Sequence, residues 1–403
     1  MIPRRGLAAL ALGVVAVAGG ALAAQGGLLA LGPYVRGTYD YGLPKWAPAP
    51  LEPKGNPTTA AKVELGRRLF YDKRLSRDGS MSCASCHEQR LAFTDGRATS
   101  PGVTGDHTAR NAMSIANAGY TPALTWANPL LHSLERQAMV PLLGQEPVEL
   151  GLAGMDETLR QRLQAEPVYR ALFPKAFPEA KGEITIGTIA RAISAFERTV
   201  VSVRSPYDRY RYEGDVEALS DSAFRGEALF FSERLECHHC HSGLHLSDTV
   251  LHERNTLGET AFHNTGLYNI DGKGGYPPRN TGIAEVTGRP EDMGRFRAPS
   301  LRNVALTAPY MHDGSIATLD EVIDHYAAGG RTITSGPYAG VGGANPYKSS
   351  FMSGFKLDAQ ERADLIAFLK SLTDEHLLTD PRYGDPWAQD QEPSRHAKTQ
   401  SGR

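Results

Sequence analysis

Apolar residues recur along this chain at helical rather than strand spacing. Ala61, Leu65 and Leu69 stand at i, i+4 and i+8, and Phe224, Ala228 and Phe231 line a second stripe. Asp358 with Glu361 gives a cap-like start to a helix whose Leu365, Phe368, Leu369 and Leu372 form one apolar face. The same reasoning predicts helices over 133–144, 156–165, 185–203 and 318–328. Alternating strand patterns of useful length are scarce. The expected class is mainly α with long loops, and the 42 Gly and 26 Pro fit that loop content without reaching low complexity.

The N-terminus has a different pattern. MIPRRG precedes an apolar run from Leu7 to Leu22 and the small-residue exit Ala21-Leu-Ala23, the order of a secretory signal peptide over 1–24. Cleavage after Ala23 or Ala24 would leave a soluble, exported, periplasmic protein. The alternative is an uncleaved membrane anchor, because apolar character resumes at Leu28 to Leu31. The length of 403 residues suits two or three domains. Lys+Arg 43 against Asp+Glu 45 leaves a formal charge of −2, which argues against a nucleic-acid binder.

The four cysteines fall as two pairs, each followed by histidine: Cys83-Ala-Ser-Cys86-His87 and Cys237-His-His-Cys240-His241. Disulfides inside such pairs would close tiny loops, and cross-bridging would leave both histidines unexplained. Cys-x-x-Cys-His is the attachment signal for c-type haem, in which two thiols reach the porphyrin vinyl groups and the imidazole meets the iron. A zinc site is the rival at Cys237–His241, and His238 and His239 are otherwise read as exposed loop residues. A repeat supports the haem reading. Gly66-Arg-Arg-Leu69-Phe70 through Arg74-Leu75 matches Gly226-Glu-Ala-Leu229-Phe230 through Arg234-Leu235 at an offset of 160 positions, and each copy leads into a Cys-x-x-Cys-His. The expected organisation is two cytochrome c-like haem domains, 33–204 and 205–380, followed by a disordered polar tail over 381–403.

Two haem units, one in each half, resemble the di-haem bacterial cytochrome c peroxidase and MauG superfamily, over a span from about Pro53 to Leu372. The most diagnostic stretch is Phe296-Arg-Ala-Pro-Ser-Leu-Arg-Asn-Val-Ala-Leu-Thr307-Ala-Pro309-Tyr-Met-His312-Asp-Gly314. Within the superfamily, Leu124-Thr-Trp126-Ala-Asn-Pro and Phe230-Phe-Ser-Glu-Arg-Leu-Glu-Cys237 look most like MbnH-type enzymes. These are paired with a secreted copper-binding protein, MbnP, and oxidise one of its tryptophans to kynurenine.

The resemblance implies roles for further residues. Peroxidases place a methionine on the second iron fourteen residues after the histidine of the His-Asp-Gly signature; here that position is Tyr326, as in MauG-like enzymes. A phenolate favours higher iron oxidation states where a thioether favours ferrous iron, and axial ligands move haem potentials over about 0.8 V. The register of the peroxidases' distal histidine falls on Val103, with His107 four positions away, so the first iron is expected to keep an open position under His87, the alternative being His107 as a mobile distal ligand. On its distal side Gln137, Pro141 and Glu149 match in order, with Glu149 as acid/base, Gln137 as orienting group and Glu146 as a competitor for Glu149. Trp126 matches the tryptophan between the haems, and Asn111, Thr307 and Pro309 match the ligands of a bound calcium. Tyr207, Tyr210 and Tyr212 form either a route for holes to the surface or a partly buried aromatic patch.

The function this implies is an exported peroxide-dependent oxidase. It would form a high-valent two-iron state with hydrogen peroxide and withdraw electrons from an MbnP-like partner. The alternatives are a periplasmic cytochrome c peroxidase fed by small cytochromes or cupredoxins, and a plain electron-transfer cytochrome.

Overall fold

The computed structural model describes residues 34–256 and 261–391. The expected signal peptide and the end of the tail lie outside them. Twelve α-helices run through the described residues: α1 Ala60–Tyr71, α2 Leu134–Leu143, α3 Asp156–Ala165, α4 Pro167–Ala176, α5 Ile186–Glu197, α6 Pro206–Glu213, α7 Asp221–Phe230, α8 Ala284–Thr287, α9 Leu319–Ala327, α10 Ala359–Ser371, α11 Glu375–Thr379 and α12 Pro386–Gln391. Three short antiparallel strand pairs add little: Tyr34–Val35 with Glu52–Pro53, Phe262–His263 with Phe296–Arg297, and Thr332–Ile333 with Gly340–Val341. Among the described residues no helix is long and apolar enough to cross a membrane.

Two crossed helix pairs organise the molecule, α1 against α5 and α7 against α10. Side-chain caps start them: Thr59 accepts from the Lys62 N–H, Ser220 from Ala223, and Asp358 and Glu361 form a reciprocal capping box. The crossings depend on two repeat glycines. A Cβ on Gly66 would collide with the Ala192 carbonyl, and one on Gly226 with that of Asp364. One turn on, Phe196 and Phe368 close the two contacts and are fully buried, each contributing about 1.5–3 kcal/mol by burial. The Gly66–Gly226 repeat thus extends to a second one, α5 onto α10. Leu65 and Leu69 anchor one apolar cluster and Leu365, Phe368, Leu369 and Leu372 a second, as the periodicity predicts.

Three expectations change. The stripe Phe224–Ala228–Phe231 is not the inward face of α7, since Phe224 and Phe231 are exposed. The close approach at Gly226 turns Ala223, Gly226 and Phe230 inward instead. The helix expected over 185–203 ends at Glu197 because Asn117 takes over the backbone: its N–H donates to the Val200 carbonyl and its Oδ1 accepts from the Ser202 N–H. Finally, the segment from 381 to 391 is not a disordered tail. Tyr383 is buried, and Trp387 packs on the first cluster and donates from Nε1 to the Arg68 carbonyl. Leu377, placed by sequence in the second unit, belongs to the core of the first.

Candidate haem cavity

Each Cys-x-x-Cys-His forms a short 3-10 turn, over Cys83–Ser85 and Cys237–His239, that delivers its histidine into the interior. Among the described residues the four cysteines form no disulfide. His87 Nδ1 lies 2.9 Å from the Phe93 carbonyl, and His241 Nδ1 lies 3.1 Å from that of Leu246. A carbonyl only accepts, so each ring carries its proton on Nδ1 and keeps the Nε2 lone pair free. Burial also lowers both histidine pKa values, which favours the neutral ligand form. In both copies the accepting carbonyl belongs to a non-glycine residue with left-handed backbone, Phe93 at φ 64° and Leu246 at φ 48°.

One cavity of about 550 Å³ touches both motifs. Gln137, Pro141, Glu149, Trp126, Tyr326, Asn111, Thr307 and Pro309 all line it, so nearly every residue expected at the site converges there. α2 carries Gln137 and Pro141 and packs on α5. Glu149 sits in the following loop, where its carbonyl accepts from the Val103 N–H. Its carboxyl pKa is raised by burial, whereas Glu146 is exposed and does not line the cavity. Trp126 spans the two halves: its Nε1 donates to the Asn111 carbonyl at 2.9 Å, and its own carbonyl accepts from the Arg297 N–H.

Tyr326 stands in the last turn of α9, beside Cys240 and Cys237. Burial raises its pKa, and the two thiols add to the effect. Its hydroxyl makes no hydrogen bond among the described residues. The neighbouring His325 is buried with both ring nitrogens unpartnered, but it does not line the cavity. His107 lies on an exposed loop against Thr99, away from the cavity. Of the tyrosines at 207, 210 and 212, Tyr207 is core and Tyr212 stacks on Trp46 at 4.2 Å.

The donor set suits a porphyrin at each pair. Beyond the thiols and free Nε2 atoms, Arg297 is fully buried against Met113 and Thr125, and among the described residues it has no carboxylate in ion-pair contact. Burial lowers its pKa to about 10. An anionic propionate would satisfy it. The zinc alternative within Cys237–His241 finds no convergence of that motif's own residues, since His238 and His239 meet Glu233 while Cys240 meets Asp248 and His263. Asn111, Thr307 and Pro309, the expected calcium ligands, line the cavity, and Asn111 Oδ1 and the carbonyls of Thr307 and Pro309 accept no hydrogen bond among the described residues. Sequence reasoning missed Arg297, although it lies inside the diagnostic stretch. It also missed Glu197, a fully buried acid on α5 that lines the cavity with Oε2 unpartnered and a pKa raised to about 8. Its sign in the sequence is a lone acid on an otherwise apolar helix face.

Comparison with known proteins places this geometry. Residues 60–217 match the family model for di-haem cytochrome c peroxidase. Cytochrome-c peroxidase IdrP1 of Pseudomonas sp. (strain SCT) is 38% identical over 350 residues, covering 83% of this chain and 86% of that protein. The methylamine utilization protein MauG of Methylorubrum extorquens is 34% identical over 324 residues, 79% and 80% of the two chains. A crystal structure of a MauG-like protein associated with microbial copper homeostasis is 54% identical, with a TM-score of 0.84, covering 87% of this chain and 99% of the other. The structure of the di-haem peroxidase BthA from Burkholderia thailandensis, at 21% identity and a TM-score of 0.62, shares the fold. With paired attachment motifs, one shared cavity and these relatives, the chain belongs to the di-haem cytochrome c peroxidase and MauG family of oxidoreductases.

Proposed function

We propose that this enzyme works in the periplasm as a peroxide-dependent oxidase of a partner protein. In this reading one haem c is attached at Cys83 and Cys86 with His87 as ligand, and a second at Cys237 and Cys240 with His241 and Tyr326 as ligands. When bound, the haems supply the redox centres that take up the two oxidising equivalents of hydrogen peroxide. The chain's own residues govern protons and position. Glu149 accepts a proton from one peroxide oxygen and returns it to the other, Gln137 orients the molecule, and Pro141 shapes the wall. Trp126 links the two halves as the path for charge. Calcium, held by Asn111, Thr307 and Pro309, would fix the junction.

The reading is carried by one observation, the Tyr326 phenol. It lines the cavity beside the second cysteine pair, half-buried, with no hydrogen-bond partner among the described residues. A phenol oxygen on the cavity wall that no protein group engages is available as an axial ligand, and the identity of that ligand sets the haem potential. The partner is inferred from the relative associated with copper homeostasis: an MbnP-like copper-binding protein whose tryptophan becomes kynurenine.

The test is mass spectrometry of a co-expressed, neighbouring secreted protein. Oxygen addition on tryptophan is expected with the wild type and not with Glu149→Gln. An unmodified partner in both backgrounds, with turnover only when a small reduced cytochrome or cupredoxin is supplied, would instead establish a cytochrome c peroxidase.

A further inference from the structure

The second attachment motif differs from the first in one respect that haem binding does not require. Between its cysteines stand His238 and His239, where the first copy has Ala84 and Ser85. Glu233 and Glu236 flank them, where the repeat places Lys73 and Ser82. All four positions change from poor ligands to good ones, and the structure brings the changed residues together. His238 Nε2 lies 3.5 Å from Glu233 Oε1; His239 Nε2 lies 3.9 Å from Glu233 Oε2 and 2.6 Å from Glu236 Oε2. The donor atoms of Glu233, His238 and His239 all fall within 4.8 Å of one another.

We propose that Glu233, Glu236, His238 and His239 form a binding site for one divalent transition-metal ion, Cu(II) or Zn(II), at the surface beside the C-terminal haem attachment. Two imidazoles and carboxylate oxygens are the ligands these ions take. Two carboxylates and two neutral rings balance a dication, and among the described residues neither glutamate meets a lysine or arginine within ion-pair distance. The rings are held in place. His239 stacks on Phe351 at 4.2 Å and 14°, and the 3-10 turn at Cys237–His239 fixes both Cα positions. His238 Nδ1 is buried without a partner, which leaves Nε2 as the ring's working atom. A tetrahedral ion with bonds of about 2.0–2.2 Å holds its donors roughly 3.3–3.5 Å apart. Glu233, the most exposed of the group at 82%, is free to swing in and complete the set. The site is separate from the interior zinc alternative because it uses neither cysteine, and it does not depend on the identity of the enzyme's oxidised partner.

The experiment uses chelator-treated holoprotein with both haems attached, loaded with CuCl₂ or ZnCl₂, gel-filtered and analysed for metal. Copper-loaded samples are also read by electron paramagnetic resonance. The wild type is expected to retain one metal ion per chain and to show nitrogen hyperfine structure from two imidazoles, with Cu(II) displacing Zn(II) as the Irving–Williams order requires. His238→Ala with His239→Ser copies the first motif, which attaches haem by the same spacing, and should abolish retention at unchanged haem content. Glu233→Gln with Glu236→Gln leaves the attachment motif untouched and should weaken binding by more than the about 10–100-fold that outer-shell partners contribute. The exposed His376→Ala should change nothing. Complete loss of metal from the wild type on gel filtration, a copper signal without nitrogen hyperfine, or equal retention by either double variant would overturn the assignment.

Discussion

Replacing Glu149 with glutamine tests the proton chemistry most directly. The carboxyl is half-buried on the cavity wall, and desolvation alone raises its pKa above the ordinary 4.5. Burial without a cationic partner makes the carboxylate a stronger base than an exposed glutamate. Positioned proton transfer contributes about 10²–10⁴-fold to rate, or roughly 3–5 kcal/mol at 1.36 kcal/mol per tenfold. Glutamine keeps the shape and cannot take the proton. Because the group is half-buried and no side chain pairs with it, the change should leave stability near that of the wild type. Stopped-flow mixing of holoprotein with hydrogen peroxide, followed in the Soret band, is the assay. The competent form is the carboxylate, so the wild-type rate should rise with pH through a midpoint above 4.5, and Glu149→Gln should be at least about 100-fold slower with that limb gone. A variant that reacts at the wild-type rate with the same pH limb refutes the assignment, and transfer of the whole effect to Glu146→Gln would move the role to that neighbour.

Three further outcomes follow from the same geometry. Tyr326→Phe should alter the optical and paramagnetic signature of one haem only and lower the yield of modified partner, while haem content stays constant; unchanged spectra would remove phenol ligation. Glu197 has its pKa raised from 4.5 to about 8, so folding is favoured most below 4.5 and that advantage is lost as pH rises through about 8. Glu197→Gln should therefore gain on the order of a few kcal/mol over wild type at pH 8 to 9, the gap closing toward pH 4.5, as read by denaturant titration at each pH. Gly226→Ala drives a methyl into the Asp364 carbonyl and should cost about 1–3 kcal/mol, whereas Gly55→Ala, which meets nothing within 4 Å, should be near neutral, both read by denaturant titration.

Much of the site was legible because haem attachment is local in sequence. Two thiols and an imidazole must share one turn, so Cys83–His87 and Cys237–His241 announce themselves. Residues such as Tyr326 and Asn111 came through family register, since nothing in their own neighbourhoods points inward. Arg297 and Glu197 were hidden because their meaning depends on burial, and burial is set by packing between distant segments. The same limit explains α7, where periodicity found a helix and chose the wrong face. Its inward side is dictated by contact with α10, more than a hundred residues away, and the glycine that permits the contact adds no hydrophobic signal. α12 was missed for the converse reason, a polar segment tied down by one tryptophan.

That last contact bears on how the molecule is assembled. Leu377 and Tyr383 complete a core whose other members precede residue 205, and Trp387 clasps α1 through Arg68. The portion made first cannot close until the portion made last has arrived. If haem is attached at Cys83 and Cys86 as proposed, their surroundings would still be open at that stage, and the segment carrying Tyr383 and Trp387 would close behind the cofactor. Expressing the halves apart would yield two unfinished bodies, one missing its latch and the other carrying apolar side chains with nothing to cover them.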